Sequence, residues 1–442
     1  MVCLKKNNLV LTLAAMLLLI AANSTLLVFR ISGWWAIQIL CVLAVNALPL
    51  TTPRQNGWRL WLLAYGNTCL RLFLIGTAFS VVAQILLWTS FTLSFLQWLV
   101  SLLVCICVLA LTFWIGIICV YCSSVQLGIK WRIIGAVCGL IPIAQLVALF
   151  QILNITSAEL RFETEKKALD RTRHHQAICK TRYPILLVHG VFFRDSRFFN
   201  YWGRIPHALK ENGANIHYGN HPSAAAVADC GQVLAERIAE ICRKTGAEKV
   251  NIIAHSKGGL DCRYAIAFCD AAPYIASLTT INTPHRGCKF ADYLLEKVPP
   301  ALQDKVANTY NRALQTFGEN TADFMAAVRD LTSSQCNQLD AAMPMPENIF
   351  CQSVGSILGH ASGGKFPLNF SYHLVRHFDG PNDGLVGEQS FCWGPNYTLL
   401  QANGPEGISH GDMIDLNRHN IPDFDVREFY VQLVSDLRQR GL

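Results

Sequence analysis

The chain opens with long apolar stretches that polar residues barely interrupt, and only later settles into short alternating elements. Uncharged runs fall at about 8–29, 32–50, 72–89, 95–121 and 133–153, each close to the roughly 20 residues that a hydrocarbon core requires. Residues 72–129 carry no charged side chain at all, enough for two spans joined by a tight turn near Thr89–Thr92. After about Arg182 the pattern changes. Pro184–His189 is a continuous apolar run suited to a strand buried on both faces. Tyr201–Asn212 has helical spacing and stops at Gly213. Ala214–Tyr218 is a short strand, and Ala224–Arg243 a long amphipathic helix ended by Lys244-Thr245-Gly246. Val250–Ala254 and Ile275–Ile281 are further buried strands, separated by a helix over Gly259–Cys269. Strand character returns at Ile349–Val354 and Tyr397–Gln401, and Val426–Leu437 is a closing amphipathic helix. Such alternation predicts a mostly parallel, doubly wound α/β sheet behind an all-α membrane region.

Residues 288–346 break the rhythm with a helical insertion. Leu302, Val306, Tyr310, Ala313 and Phe317 recur at three- and four-residue steps, a stripe that fits either an ordinary core helix or a cap with an apolar underside. The domain boundaries that follow are a multi-pass region of four to five helices over 1–155, a linker over 156–182 and an α/β domain over 183–442 with its cap at 288–346.

Charge sharpens this division. No Asp or Glu precedes Glu159, whereas Lys5, Lys6, Arg30, Arg54, Arg59, Arg71, Lys130 and Arg132 do. The net charge of +7 therefore belongs to the first part, and no basic patch interleaved with aromatics indicates a nucleic-acid partner. With the start of the first run inside, seven of those eight charges are cytoplasmic and only Arg30 is outside, as the positive-inside rule requires. Trp34, Trp35, Trp58, Trp61, Trp88 and Trp131 lie near the ends of the runs, as an interfacial belt would. A cleaved signal peptide at 1–24 would explain only the first run. A fifth span at 133–153 puts the α/β domain outside, and the expectation leans that way; a re-entrant run, which Pro142 permits, keeps it inside. The 17 cysteines are odd in number and fall mostly on apolar faces, which favours free thiols. Cys119-Val-Tyr-Cys122 reads as packed thiols and not as half of a metal site.

The candidate chemistry centres on Lys249–Gly259. A β-branched strand runs into Ser256, glycines follow at once, and a helical pattern comes next. That is the layout of a nucleophile elbow, where small residues two before and two after the serine avoid collision; Ala254 and Gly258 occupy those places. A serine hydroxyl needs an adjacent base and an orienting acid, and in doubly wound hydrolases the chain order is nucleophile, acid, histidine. Only His410 and His419 come late enough for the base. His410, in the glycine-flanked Gly407–Asp412 loop, is preferred over His419, which reads as a solvated loop residue. Asp383 in Asn382-Asp-Gly-Leu-Val386 is the acid, with Asp379 as runner-up. The oxyanion hole should use the N–H groups of Lys257 and Val191, the latter in His189-Gly190-Val191-Phe192. His189 and His255 read as loop-orienting residues.

The strand ending His189-Gly190, the elbow Ala254-His-Ser-Lys-Gly258, Asn282-Thr-Pro-His-Arg-Gly287 and Asn382–Val386 together resemble bacterial, triacylglycerol lipase-like members of the α/β-hydrolase superfamily. The resemblance covers residues 183–442; the alanine at the elbow's first place resembles the A-H-S-x-G form of Bacillus-type lipases. It implies a serine ester hydrolase with Ser256 as nucleophile, Asp383 as orienting acid and His410 as general base, with Val191 and Lys257 as oxyanion donors. It also implies lipid acyl esters as substrate, the bilayer as partner and no cofactor. Some of these lipases hold calcium through an aspartate two residues after the histidine, where Asp412 stands. The upstream aspartate is missing from 341–378, so no metal site is expected. An acyltransferase or thioesterase using the same triad is the alternative, and a catalytically silent membrane module the third reading.

Overall fold

The structure, a computed structural model, describes the chain except for residues 1, 48–56, 91–93, 140, 192–200, 223, 306 and 309–322. The chain divides into two compact units, Met1–Leu169 and Asp170–Leu442.

The first unit is all-helical: α1 (Val2–Asn23), α2 (Thr25–Val28), α3 (Trp34–Ala47), α4 (Trp58–Ser90), α5 (Phe95–Ser123), α6 (Gly128–Cys138) and α7 (Pro142–Arg173), the last crossing the boundary between the units. Among the described residues, three stretches are long and apolar enough to cross a membrane: Trp58–Thr89, Phe95–Ser123 and Ile143–Gln176. Two departures from the hydropathy pattern have clear causes. α4 begins 14 residues ahead of the uncharged run because its arginines find partners: Arg59 Nη1 donates to Glu159 Oε1 (2.6 Å) and Arg71 Nη2 to Ser157 Oγ (2.9 Å). The fifth run is not one helix but two, parted at Gly139–Ile141 ahead of Pro142, whose ring cannot continue a helix from below. Residues 156–173, read as linker, continue α7. The turn expected near Thr89–Thr92 falls largely outside the described residues. Cys119 and Cys122 both lie within α5, and no disulfide joins any of the described cysteines.

Glu159, the first acidic residue of the chain, is the polar centre of this unit. Its buried carboxylate accepts from Arg59, from Ser124 Oγ (2.6 Å) and from the N–H groups of Val125 and Gln126 (3.1 and 3.2 Å). It thereby supplies the acceptor that the Val125 and Gln126 N–H groups need in the loop between α5 and α6.

The second unit is a six-stranded sheet in the order β2-β1-β3-β4-β5-β6, with every pairing parallel. The strands are β1 (Ile185–Val188), β2 (Ile216–Tyr218), β3 (Val250–His255), β4 (Ile275–Ile281), β5 (Phe350–Ser356) and β6 (Tyr397–Leu400). β1, β3 and β4 are buried along their whole length, which is why their sequences read as unbroken apolar runs. Helices cover both faces. α8 (Ile205–Glu211) and the C-terminal helix Val426–Gln439 pack Trp202, Leu209, Tyr430 and Val434 against Leu187 and Ile253 on one side. α9 (Val227–Thr245) and α10 (Lys257–Phe268) pack Leu234, Ile238 and Cys262 against Leu186, Ile252 and Ala254 on the other. α9 ends at Gly246, whose φ of 72° supplies the left-handed cap. α8 starts four residues later than the hydrophobic spacing predicts, because Pro206 fits only its first turn.

Between β4 and β5 the chain leaves the sheet through α11 (Lys289–Lys297) and the helices Phe324–Arg329 and Ser333–Ala342. Of the expected stripe, Val306, Tyr310, Ala313 and Phe317 lie outside the described residues.

Replacing Glu159 by alanine leaves Arg59 and two backbone N–H groups without their acceptor. Breaking a buried pair costs about 3–5 kcal/mol, and the partial exposure of the Arg59 side chain (31%) moves the expected loss toward the lower figure. A thermal melt of detergent-solubilised Glu159→Ala should show a clearly depressed first-unit transition; a wild-type midpoint would contradict the role given to this carboxylate.

Candidate active site

β3 delivers Ser256 to the edge of the sheet, and α10 begins at the next residue. Ser256 has φ 55° and ψ −135°, a conformation that costs a non-glycine residue about 1–3 kcal/mol. Two neighbouring segments hold it there. Its N–H donates to Ile281 O at the end of β4 (2.9 Å). A Cβ on Gly258 would sit 2.4 Å from His189 O, and one on Gly190 would sit 2.7 Å from Ser256 Cβ. Glycine is required at both places by this closeness, and Ala254 is fully buried in the strand before. Lys257 is the first residue of α10, so its N–H has no acceptor within the helix. Its side chain is buried, with Nζ 2.6 Å from Asp261 Oδ1 one turn later. Val191 borders the same cavity as Ser256; Phe192 lies outside the described residues.

His410 and Asp383 come together as the chain order implies. Asp383 is fully buried and each of its oxygens is committed. Oδ1 accepts from the N–H groups of Leu385 (2.9 Å) and Val386 (2.8 Å). Oδ2 accepts from Asn282 Nδ2 (2.6 Å) and faces His410 Nδ1 at 2.6 Å. A carboxylate can only accept, so Nδ1 carries the proton and the neutral ring keeps its lone pair on Nε2. The His410 N–H donates to Asp383 O (2.9 Å), which fixes the two loops together. Asp379 is not part of this group; its Oδ1 accepts from Lys289 N at the start of α11. His419 is half-buried. Asp412 Oδ2 accepts from Ser409 N–H (2.9 Å) and Oγ (2.6 Å), closing the loop that carries His410.

Two residues gain a part that hydropathy and motif spacing did not give them. Asn282, at φ 47°, donates to both Asp383 and Ser356 Oγ (2.7 Å); only its place in Asn282–Gly287 marked it. Tyr201 accepts from Gly190 N–H (2.9 Å), and its hydroxyl donates to His255 Nδ1 (2.7 Å). It thereby ties the segment before Val191 to the residue before Ser256, and no sequence signal separates it from the helix that follows. His255 lies against His410, ring centroids 4.5 Å apart. Burial, with His410 adding to it, holds its imidazole well below the usual range. His189, also buried, has Nδ1 2.9 Å from Gly190 O. His285 is fixed by Arg263 Nη1 (3.2 Å) and by Thr280 Oγ1 (3.0 Å), and burial, then Arg263 and Arg286, drive its pKa far down.

Ser256 and His410 open into a cavity of about 520 Å³. Beyond them its walls are mostly apolar, with Gln303, Lys365, Ser371 and Asn417 among the polar exceptions. Leu294 and Val298 come from the insertion after β4, Val328 from the helix Phe324–Arg329, and Leu385, Val386 and Ile414 from the loops around Asp383 and His410.

A family model described as palmitoyl protein thioesterase matches residues 184–359. Triacylglycerol lipases of Pseudarthrobacter phenanthrenivorans and Burkholderia plantarii are each 36% identical to this chain over 167 residues, or 35% of it. Over these segments the C-terminal unit is similar to triacylglycerol lipases. The matches cover 52% and 46% of those two lipases, so the chain spans about half their length. The crystal structure of mature Bacillus licheniformis lipase BlEst2 aligns with 57% of this chain and 91% of its own, at 22% identity and a TM-score of 0.43.

Two outcomes follow. Gly258→Ala forces a Cβ against backbone and should lower stability by about 1–3 kcal/mol, whereas Gly404→Ala, with nothing within 4 Å, should melt like wild type. Equal melting temperatures for the two would contradict the close approach. His255 and His285, buried neutral, bind fewer protons folded than unfolded below about pH 6.5, so stability should fall as pH drops from 7 to 5. Each contributes up to about 1.4 kcal/mol per pH unit, and His285→Asn should flatten that slope in pH-dependent melts. An unchanged slope would contradict it.

Proposed function

We propose that this domain is a membrane-anchored serine ester hydrolase, a lipase acting on acyl esters of membrane lipids. The observation that carries the reading is the His410 Nδ1–Asp383 Oδ2 pair at 2.6 Å, beside a strained serine on an apolar cavity. Ser256 Oγ attacks the ester carbonyl carbon as His410 Nε2 takes its proton. The carbonyl oxygen, now negative, is stabilised by the N–H groups of Val191 and Lys257, each such donor contributing about 2.7–4 kcal/mol. Collapse expels the alcohol, which receives the proton from His410 and leaves the acyl group on Ser256. Water then enters, gives a proton to His410 and releases the acid, and Ser256 recovers its proton. Asp383 stays ionised throughout and balances the imidazolium.

The apolar walls argue for long acyl chains, since each buried CH₂ contributes about 0.8 kcal/mol. Leu294, Val298 and Val328 support reading 288–346 as a cap over the site, and the long apolar helices of the first unit support a multi-pass membrane anchor. A thioesterase or acyltransferase on lipids or lipidated proteins is the second reading, favoured by the palmitoyl protein thioesterase match over 184–359.

Ser256→Ala should reduce hydrolysis of a p-nitrophenyl ester by at least about 10⁴-fold with an unchanged melting profile. Turnover at the wild-type rate would overturn the assignment. Oxoester and thioester substrates with the same palmitoyl chain separate the two readings: the first requires the larger kcat/KM for the oxoester, the second for the thioester.

A further inference from the structure

The first unit is built from three antiparallel helical pairs, and the third does not reach as far as the other two. In the first pair, α1 and α3 meet through Gln38 Nε2, which donates to Ala21 O (2.7 Å) and Thr25 Oγ1 (3.0 Å). α3 then returns to the start of α4, where Asn46 O accepts from the Tyr65 hydroxyl (2.8 Å). In the second pair, Trp88, Phe95 and Trp98 cluster at the far end. At the near end Arg59 Nη1 donates to Ser123 O (2.9 Å).

The third pair starts at that near end, with Arg132 Nη2 donating to Ser124 O (2.7 Å). α6 has 11 residues, about 16 Å of helix against a hydrocarbon core of about 30 Å. The tip, marked by Gly139 and Gln145, borders a cavity of about 660 Å³ with Thr77 and Ile106. Ile106 is still 11 residues, about 16 Å, from Phe95 and the far aromatic cluster. α7 then runs back. Ile152 comes against Gly135 of α6, and Thr156 Oγ1 donates to Asn67 Oδ1 (2.6 Å). Glu159 ends beside Arg59 and Ser124. Length and composition alone admit Ile143–Gln176 as a span, but its apolar half ends at Glu159, on the side where α6 began.

Both helices of the pair point apolar side chains outward. Ile129, Ile133 and Val137 on α6, and Ile143, Val147 and Phe150 on α7, are each more than half exposed, at helical spacing along one face of each helix. Water would not tolerate six such residues on a short hairpin; acyl chains would.

We infer that α6 and α7 form a re-entrant hairpin, covered by the acyl chains of the one leaflet that borders Arg59, Lys130 and Arg132. Each of the three pairs then returns to the side it left, and the positive-inside bias makes that side the cytoplasm. The lipase-like domain stands there too, in place of the outside location that a fifth span implies. Its substrates, on the catalytic reading above, are acyl esters of the cytoplasmic leaflet.

The test uses the full chain with an epitope tag after Leu442 in sealed vesicles of both orientations. Added protease should remove the tag in inside-out vesicles and spare it in right-side-out ones; the reverse, or cleavage in both, overturns the inference. A protease site inserted at Gly139–Ile141 should resist cleavage from either side, while one inserted at Ser24–Gly33 should be cut from outside. Cleavage of the tip site from outside would also overturn it. A membrane-impermeant fluorophosphonate on the same vesicles reads catalysis separately: a cytoplasmic tag with unlabelled Ser256 fails the catalytic reading and leaves the topology standing.

Discussion

The backbone turn at Ser256 is the constraint on which the rest of the C-terminal unit depends. A serine at φ 55° is held only where its surroundings leave no other conformation. Here the surroundings are two neighbouring strands. β3 lies between β1 and β4, so the chain leaving β1 presses Gly190 against Ser256 while the end of β4 takes its N–H. The parallel sheet is thus what makes the strain affordable, and it leaves Ser256 on the wall of the cavity with α10 starting at the next residue.

Buried charge follows the same logic. Asp383 is dry, and a carboxylate taken out of water must find hydrogen-bond donors inside the protein. Two backbone N–H groups, Asn282 and His410 all donate to it. In the first unit Glu159 is served the same way by Arg59, Ser124 and two N–H groups. In each unit a buried carboxylate with donors on both oxygens thus joins distant parts of the chain.

Much of this was legible in the sequence because the governing interactions are local or periodic. β1, β3 and β4 read as continuous apolar runs because both of their faces are covered. The elbow was visible because collision dictates small residues at fixed offsets from Ser256. What stayed hidden depends on distant partners. α4 extends back to Trp58 because Arg59 meets a glutamate 100 residues away, which hydropathy cannot register. The fifth apolar run looked like one element, yet Gly139 and Pro142 bend it into two, and only its contacts reveal where it ends. Tyr201 and Asn282 act through single hydrogen bonds across the fold, so neither periodicity nor motif spacing assigns their partners.

The central claim is that Ser256 is the nucleophile of an acyl-enzyme pathway. Mass spectrometry of the full-length protein after brief exposure to a fluorophosphonate tests it most directly, because the reagent bonds only to a serine that its histidine has activated. The expected result is one phosphonyl adduct, on the peptide carrying Ser256, with its rate sharply reduced in His410→Ala. An adduct on another serine, or none at all in the folded protein, would contradict it.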